Sequence, residues 1–178
     1  MRTKKVVVEE YNYKWNYEFK RLKLYFQKIL KDTILSVEHI GSTSVYGLAA
    51  KPIIDIDIVI EEYSKFEKIK NILEKHGYFY EGDLGIKDRH AFAYDENENK
   101  FMTHHLYICP KYSKELKRHI AFRDYLKTHE SEMKKYGEIK LKAADIFSND
   151  IEGYIGYKSI FIDEIYNKLI LKGVGYEK

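Results

Sequence analysis

Apolar residues recur at helical spacing from Lys14 to Leu30. Trp15, Phe19, Leu22, Phe26 and Ile29–Leu30 fall on one stripe, which predicts an amphipathic helix. Ile34–Ile40 mixes Ile, Leu and Val with polar residues and predicts a strand. Ile53–Ile60 predicts a second strand, apolar except for two aspartates. Ser64–His76 reads as a helix, with Ser64 and Glu67 at capping-box spacing and Gly77 as its stop. Three short strands are expected at Tyr78–Glu81, His90–Tyr94 and Phe101–Cys109. The wholly polar Asp95–Lys100 between the last two reads as a hairpin loop, and Pro110 ends the series because it cannot donate to a ladder. Beyond Pro110 the period changes. Ser113–Lys127, Ser131–Phe147 and Ile151–Leu171 all predict helices. One helix, a strand-rich part holding a second helix, and three closing helices make an α+β fold. At 178 residues one domain is expected, with a sheet part at about 32–110 and a helical part at about 111–172.

Composition narrows the class. The chain is 44% hydrophobic and 33% charged, with 10 Gly and 2 Pro, which excludes collagen-like, disordered and low-complexity chains. Cys109 is the one cysteine, so neither an internal disulfide nor a four-cysteine zinc site is possible; it is expected to be a buried core thiol. The apolar run Val6–Val8 is too short for a signal peptide, and no stretch reaches the roughly 18 apolar residues of a membrane span. A cytoplasmic protein with no membrane partner is the expectation.

The net charge of +3 does not call for a nucleic-acid partner. Its distribution is uneven. Residues 111–142 hold 10 Lys or Arg against five Asp or Glu. Such a segment is either a solvated helix face or a means of steering a phosphate ligand. Lys51, Arg89, Arg118, Arg123, Lys140 and Lys158 are the candidate cations, and His119 shares a helix face with Arg123.

The chemistry concentrates between Glu38 and Ile60. A strand has a side-chain period of two, so Asp55 and Asp57 share one face while Ile54, Ile56, Ile58 and Ile60 share the other. Side-by-side carboxylates repel unless a cation lies between them. Mg²⁺ suits such a pair, its remaining positions going to water and phosphate oxygens. The alternative is the polar outer face of an edge strand. Gly41-Ser42-Thr43-Ser44 precedes this strand. Glycine admits a close backbone approach, and the hydroxyls supply a helix cap whose free N–H groups suit an anion. A phosphate cradle beside a carboxylate pair describes a site for a nucleoside triphosphate or another phosphorylated small molecule.

Gly41-Ser42 followed by Asp55-Ile56-Asp57 resembles the signature of the polymerase-beta-like nucleotidyltransferase superfamily. The longer run His39-Ile40-Gly41-Ser42-Thr43-Ser44-Val45, with Gly47-Leu48-Ala49-Ala50-Lys51-Pro52-Ile53-Ile54-Asp55, is similar to the GrpB family of small bacterial proteins. The similarity continues through Gly82–Arg89, His104–Tyr107, Phe122–Leu126, Lys140–Lys142 and Tyr157–Ser159. Tyr46 stands where that family usually carries proline. The resemblance implies a mixed sheet of nucleotidyltransferase type and a Mg²⁺- or Mn²⁺-dependent transfer to an unknown acceptor. Asp55 and Asp57 would be catalytic and metal-holding. Gly41, Ser42, Thr43, Lys51, Arg89, Arg123 and Lys158 would bind phosphate. His105 falls where the superfamily places a third carboxylate and is expected as a third metal ligand; an imidazole suits Mn²⁺ or Zn²⁺ better than Mg²⁺. The family is also found fused to dephospho-CoA kinase, which implies the alternative of a non-catalytic nucleotide- or phosphometabolite-binding module linked to coenzyme A metabolism.

Overall fold

A computed structural model describes residues 5–171. Five helices and five strands form in the expected order: α1 Lys14–Leu30, β1 Ser36–Ile40, β2 Ile54–Ile60, α2 Phe66–Lys75, β3 Tyr78–Gly82, β4 His90–Tyr94, β5 His104–Pro110, α3 Lys114–Thr128, α4 Glu130–Ile146 and α5 Ile151–Leu171. The strands make one mixed sheet in the order β1-β2-β5-β4-β3. β2 runs antiparallel to β1 and parallel to β5. β4 and β3 continue antiparallel beyond β5.

β2 is thus an interior strand, not the edge strand that its two aspartates also allowed. Ile54, Ile56, Ile58 and Ile60 are fully buried against α1 and α2, packed among Phe26, Leu22, Ile69 and Leu73. Each such side chain contributes roughly 1.5–3 kcal/mol on burial. This core fixes which way Asp55 and Asp57 face, because a one-residue slip would turn every isoleucine outward. On the opposite face α3 covers one end of the sheet through Val59, Cys109 and Leu116, with Cys109 fully buried as expected. The helical half holds its own core, in which Tyr125, Met133, Tyr136, Phe161 and Ile165 clamp Val45 and Leu48.

Two local expectations are corrected. The Ser64–Glu67 capping box does not form: Tyr63–Lys65 turn as a 3₁₀ segment, so α2 starts at Phe66 and no side chain caps it. Ser42–Ser44 is likewise a single 3₁₀ turn rather than a helix start. The chain turns again at Gly47, whose φ is +79°, and Ala50 then pairs with Glu9 through two backbone hydrogen bonds, so no helix dipole gathers behind the Gly-Ser turn. Gly77 ends α2 as expected, with φ +84°.

Candidate active site

The site lies where β1 hands over to the 42–44 turn above β2 and β5. Gly41 has φ +68°, and a β-carbon there would fall 2.2 Å from Asp55 Oδ2. Glycine is required for both reasons: a left-handed backbone and the carboxylate resting against it. The turn is closed by Ser44, whose hydroxyl and backbone N–H both donate to the Gly41 carbonyl.

The parallel register sets His105 beside Asp55 and Tyr107 beside Asp57. His105 Nδ1 donates to Asp55 Oδ1 at 2.8 Å. Burial opposes ionisation of Asp55, but the His105 hydrogen bond, helped by His119 and Lys158, holds its carboxyl below the usual range. Asp57 is 0% exposed. His119 of α3 reaches it, Nδ1 donating to Asp57 Oδ2 at 2.8 Å while Nε2 lies 3.3 Å from Glu115 Oε1. Burial works against a charged His119, yet these two carboxylates raise it to about 9. The same hydrogen bond, against burial, lowers Glu115 to about 2. For Asp57 burial prevails over His119, and its carboxyl is pushed above the usual range. Its second oxygen, Oδ1, is buried and has no hydrogen-bond partner among the described residues.

A cleft of about 250 Å³ opens beside Asp55 and is lined by Ser42, Lys51, Lys140, Tyr154 and Lys158, with His105 at its edge. Lys140 is 1% exposed, and its Nζ has no hydrogen-bond partner among the described residues; it lies 4.5 Å from the centre of the Tyr136 ring. Burial, then nearby Lys158, lowers the Lys140 amine well below the ordinary lysine range. Burial also lowers Lys51 and Lys158, with Asp55 partly restoring their charge. Three amines around one carboxylate make a cleft deficient in negative charge.

Several expected site residues are placed differently. Arg123 does not line the lysine cleft. It donates to Glu38 and to the His39 carbonyl, both at 3.1 Å, and to Asp124 at 2.7 Å, so its fork is taken up at the edge of β1. Arg89 lies 4.5 Å from the centre of the Tyr107 ring, on the Asp57 side of the pair, and its charge reaches Asp57 rather than the lysines. Thr43 lines the cleft, but its buried hydroxyl is shared between His39 Nε2 and the Ile53 carbonyl, leaving none of it for phosphate. His39 itself is a satisfied core histidine, stacked on Phe19, with burial lowering it to about 4. His105 does not complete a three-ligand set: it stands next to Asp55 at hydrogen-bonding distance, and the two satisfy each other. Among the described residues no three His, Cys, Asp or Glu side chains gather as a metal group.

What remains fits a hard divalent cation in the Mg²⁺ manner. Two carboxylates share one face and one carboxylate oxygen is buried without a partner among the described residues, a donor set to which Mg²⁺ would add water and phosphate oxygens. His119 is the functional residue that sequence pattern did not bring to Asp57. Lys140, one of the candidate cations of the sequence, does line the cleft.

Comparison with known proteins agrees with this architecture. The family described as GrpB protein matches residues 5–168. Glutamate-rich protein GrpB of Alkalihalophilus pseudofirmus is 31% identical over 166 residues, covering 92% of this chain and 95% of that protein. UPF0157 protein YqkA of Bacillus subtilis is 32% identical over 159 residues, covering 89% of this chain but only 46% of YqkA. The crystal structure of GrpB from Enterococcus faecalis superposes with a TM-score of 0.83 at 35% identity, over 95% of this chain and all of that one. Cid1, solved with its short product ApU, superposes at a TM-score of 0.54 and 13% identity over 74% of this chain and 41% of its own; that likeness shows the nucleotidyltransferase-type fold alone. No helix among the described residues is long and apolar enough to cross a membrane. The chain belongs to the GrpB family.

Proposed function

We infer that the chain is a metal-dependent nucleotidyltransferase-like protein that takes a nucleoside triphosphate and passes its nucleotidyl group to an acceptor. One observation carries this. Asp55 lines the same cleft as Lys140 and shares its strand face with Asp57, and the Asp57 Oδ1 and Lys140 Nζ atoms are each buried without a hydrogen-bond partner among the described residues. Leaving either unpaired costs stability, and a cation with a polyphosphate would satisfy both. Asp55 and Asp57 would hold the Mg²⁺ or Mn²⁺ ion, which supplies charge neutralisation at the reacting phosphorus. Ser42, the Gly41 backbone, Lys51, Lys140 and Lys158 would hold the phosphates.

In the transfer an acceptor hydroxyl oxygen bonds to the α-phosphorus, the bond from that phosphorus to the β-bridging oxygen breaks, and pyrophosphate leaves with the electron pair. The hydroxyl proton passes to His105 Nε2, the ring nitrogen that Asp55 does not engage. Cid1, described as a poly(U) polymerase and solved with MgATP at a TM-score of 0.52, shares the fold and makes this chemistry compatible with it. The test is turnover: mixed triphosphates with Mn²⁺ should release pyrophosphate in the presence of a mixed pool of hydroxyl acceptors, and Asp57→Asn should not.

A second reading rests on the histidine-capped Asp57 and the lack of a third carboxylate among the described residues. It is a binding module for nucleotides or phosphometabolites. It predicts triphosphate binding with no pyrophosphate release.

A further inference from the structure

His105, beside Asp55, lines two clefts of opposite character. One is the lysine cleft. The other is a cavity of about 230 Å³ over the β5, β4 and β3 side of the same sheet face. The two share only Ile53 and His105 in their linings. The second cavity has a floor of small side chains: Ala91 pairs with Tyr107 across the sheet, and Ala93, two residues on, shares its face. Leu84, 59% exposed, closes one side. The acidic groups at its rim are Glu81 and Glu96, and among the described residues neither Lys nor Arg lines it. The lysine cleft has three amines against one carboxylate; this one has two carboxylates and no permanent cation.

We propose that this second cleft is the acceptor subsite and takes a small molecule with a positive charge and a hydroxyl on an apolar body. The proposal rests on the transfer chemistry inferred above. In-line displacement places the attacking and leaving oxygens on opposite sides of the phosphorus. A triphosphate tail among Lys51, Lys140 and Lys158 leaves the far side of Asp55 and His105 for the acceptor, and that side is the second cleft. Ala91 and Ala93 leave room for a flat apolar body against the sheet. Glu81 and Glu96 favour a cationic head and repel an anionic one. A nucleic-acid acceptor would bring phosphates past the two glutamates, with Arg89, against the Tyr107 ring, as the nearby cation.

Three small probes share a hydroxyphenyl body and differ in charge: tyramine is cationic, tyrosol neutral and para-hydroxyphenylacetate anionic. Each is titrated into the full chain carrying isotope-labelled alanine methyls, read by NMR. Tyramine should shift the Ala91 and Ala93 methyls saturably, tyrosol more weakly, and the anion not at all. Glu81→Gln with Glu96→Gln should weaken tyramine about fivefold, the scale of two exposed ion pairs, and leave tyrosol unchanged. Both glutamates are exposed, so this variant should fold. Ala93→Phe, checked by its melt, should exclude both probes. The subsite is overturned if the anion binds as well as tyramine, or if none of the probes moves these methyls. A triphosphate titration with Mg²⁺ on the same samples reads the lysine cleft separately and should be unaffected by the three substitutions. Triphosphate binding without tyramine binding overturns the acceptor subsite alone. Tyramine binding without triphosphate binding overturns the transferase reading and leaves a cation-binding cleft.

Discussion

His119 Nδ1 lies 2.8 Å from Asp57 Oδ2, so a histidine 62 residues along the chain caps a fully buried carboxylate on the interior strand β2. The ion pair ties α3 to β2 and, with Glu115 on the far ring nitrogen, holds a charged imidazole between two acids. The same contact occupies one oxygen of the carboxylate that the transfer chemistry needs.

This arrangement makes the metal-free protein sensitive to alkaline pH. His119 is raised from 6.5 to about 9, so its contribution is complete below about pH 6.5 and is lost as pH rises toward 9. Asp57, shifted upward by burial, acts in the same direction, but its loss begins lower, as pH rises from the ordinary carboxylate range. Glu115 acts in the other direction: lowered from 4.5 to about 2, it contributes above pH 4.5 and is lost only in strong acid. The melting temperature of metal-free protein should therefore fall between pH 6.5 and 9. His119→Ala should cost about 3 kcal/mol near neutrality, the scale of breaking a buried ion pair, and should flatten that slope. A slope unchanged in the variant would exclude the His119–Asp57 pair as its origin.

Gly41→Ala and Gly77→Ala separate two costs. Both positions have positive φ, and a non-glycine residue there loses roughly 1–2 kcal/mol. At Gly77 nothing lies within 4 Å of the added carbon, so strain is the whole effect. At Gly41 the carbon meets Asp55 Oδ2 and the carboxylate must move. Denaturant unfolding should show the larger loss for Gly41→Ala, and only that variant should lose metal-dependent stabilisation.

Much of this was legible in the sequence. Alternation in Ile53–Ile60 identified the strand, its buried face and the shared face of Asp55 and Asp57, because period two leaves no freedom. The Gly41-Ser42 run marked the turn that contacts Asp55. Pairings decided by tertiary packing were hidden. Nothing local ties His119 to Asp57, and Arg123, four residues further on the same helix, turns instead to Glu38 on β1. The capping pattern at Ser64 failed because a 3₁₀ turn took the first residues of α2. Lys140 was a candidate cation in the sequence, but its burial is set by packing and was hidden.

Arg123→Ala tests the placement of that arginine outside the lysine cleft. It removes hydrogen bonds to Glu38 and the His39 carbonyl, and a loss of about 1.5–3 kcal/mol is expected for charged hydrogen bonds in a half-buried setting. Isothermal titration with triphosphate and Mg²⁺ should give the wild-type affinity.

Lys140→Met should do the reverse. It replaces a buried amine without a hydrogen-bond partner by an apolar chain of similar length. Ligand-free protein should be as stable as wild type or more so, by about 1 kcal/mol, because replacing buried charge with apolar volume is often stabilising. Triphosphate affinity, measured in the same titration, should fall. A large loss of stability with unchanged affinity would make Lys140 a structural residue.

The central claim is that Asp55 and Asp57 hold a divalent ion which a triphosphate then joins. Thermal melts of wild type and Asp57→Asn, with and without Mn²⁺ and a mixed triphosphate pool, test it most directly. At a hundredfold excess over its dissociation constant, Mn²⁺ should stabilise the wild type by about 2.7 kcal/mol. Triphosphate should raise the melt further only when metal is present, and Asp57→Asn should lose both increments, starting from a lower metal-free melt because His119 loses its buried anion. If neither Mn²⁺ nor triphosphate at millimolar concentration moves the wild-type melt, the aspartates are a histidine-capped strand face and hold no metal.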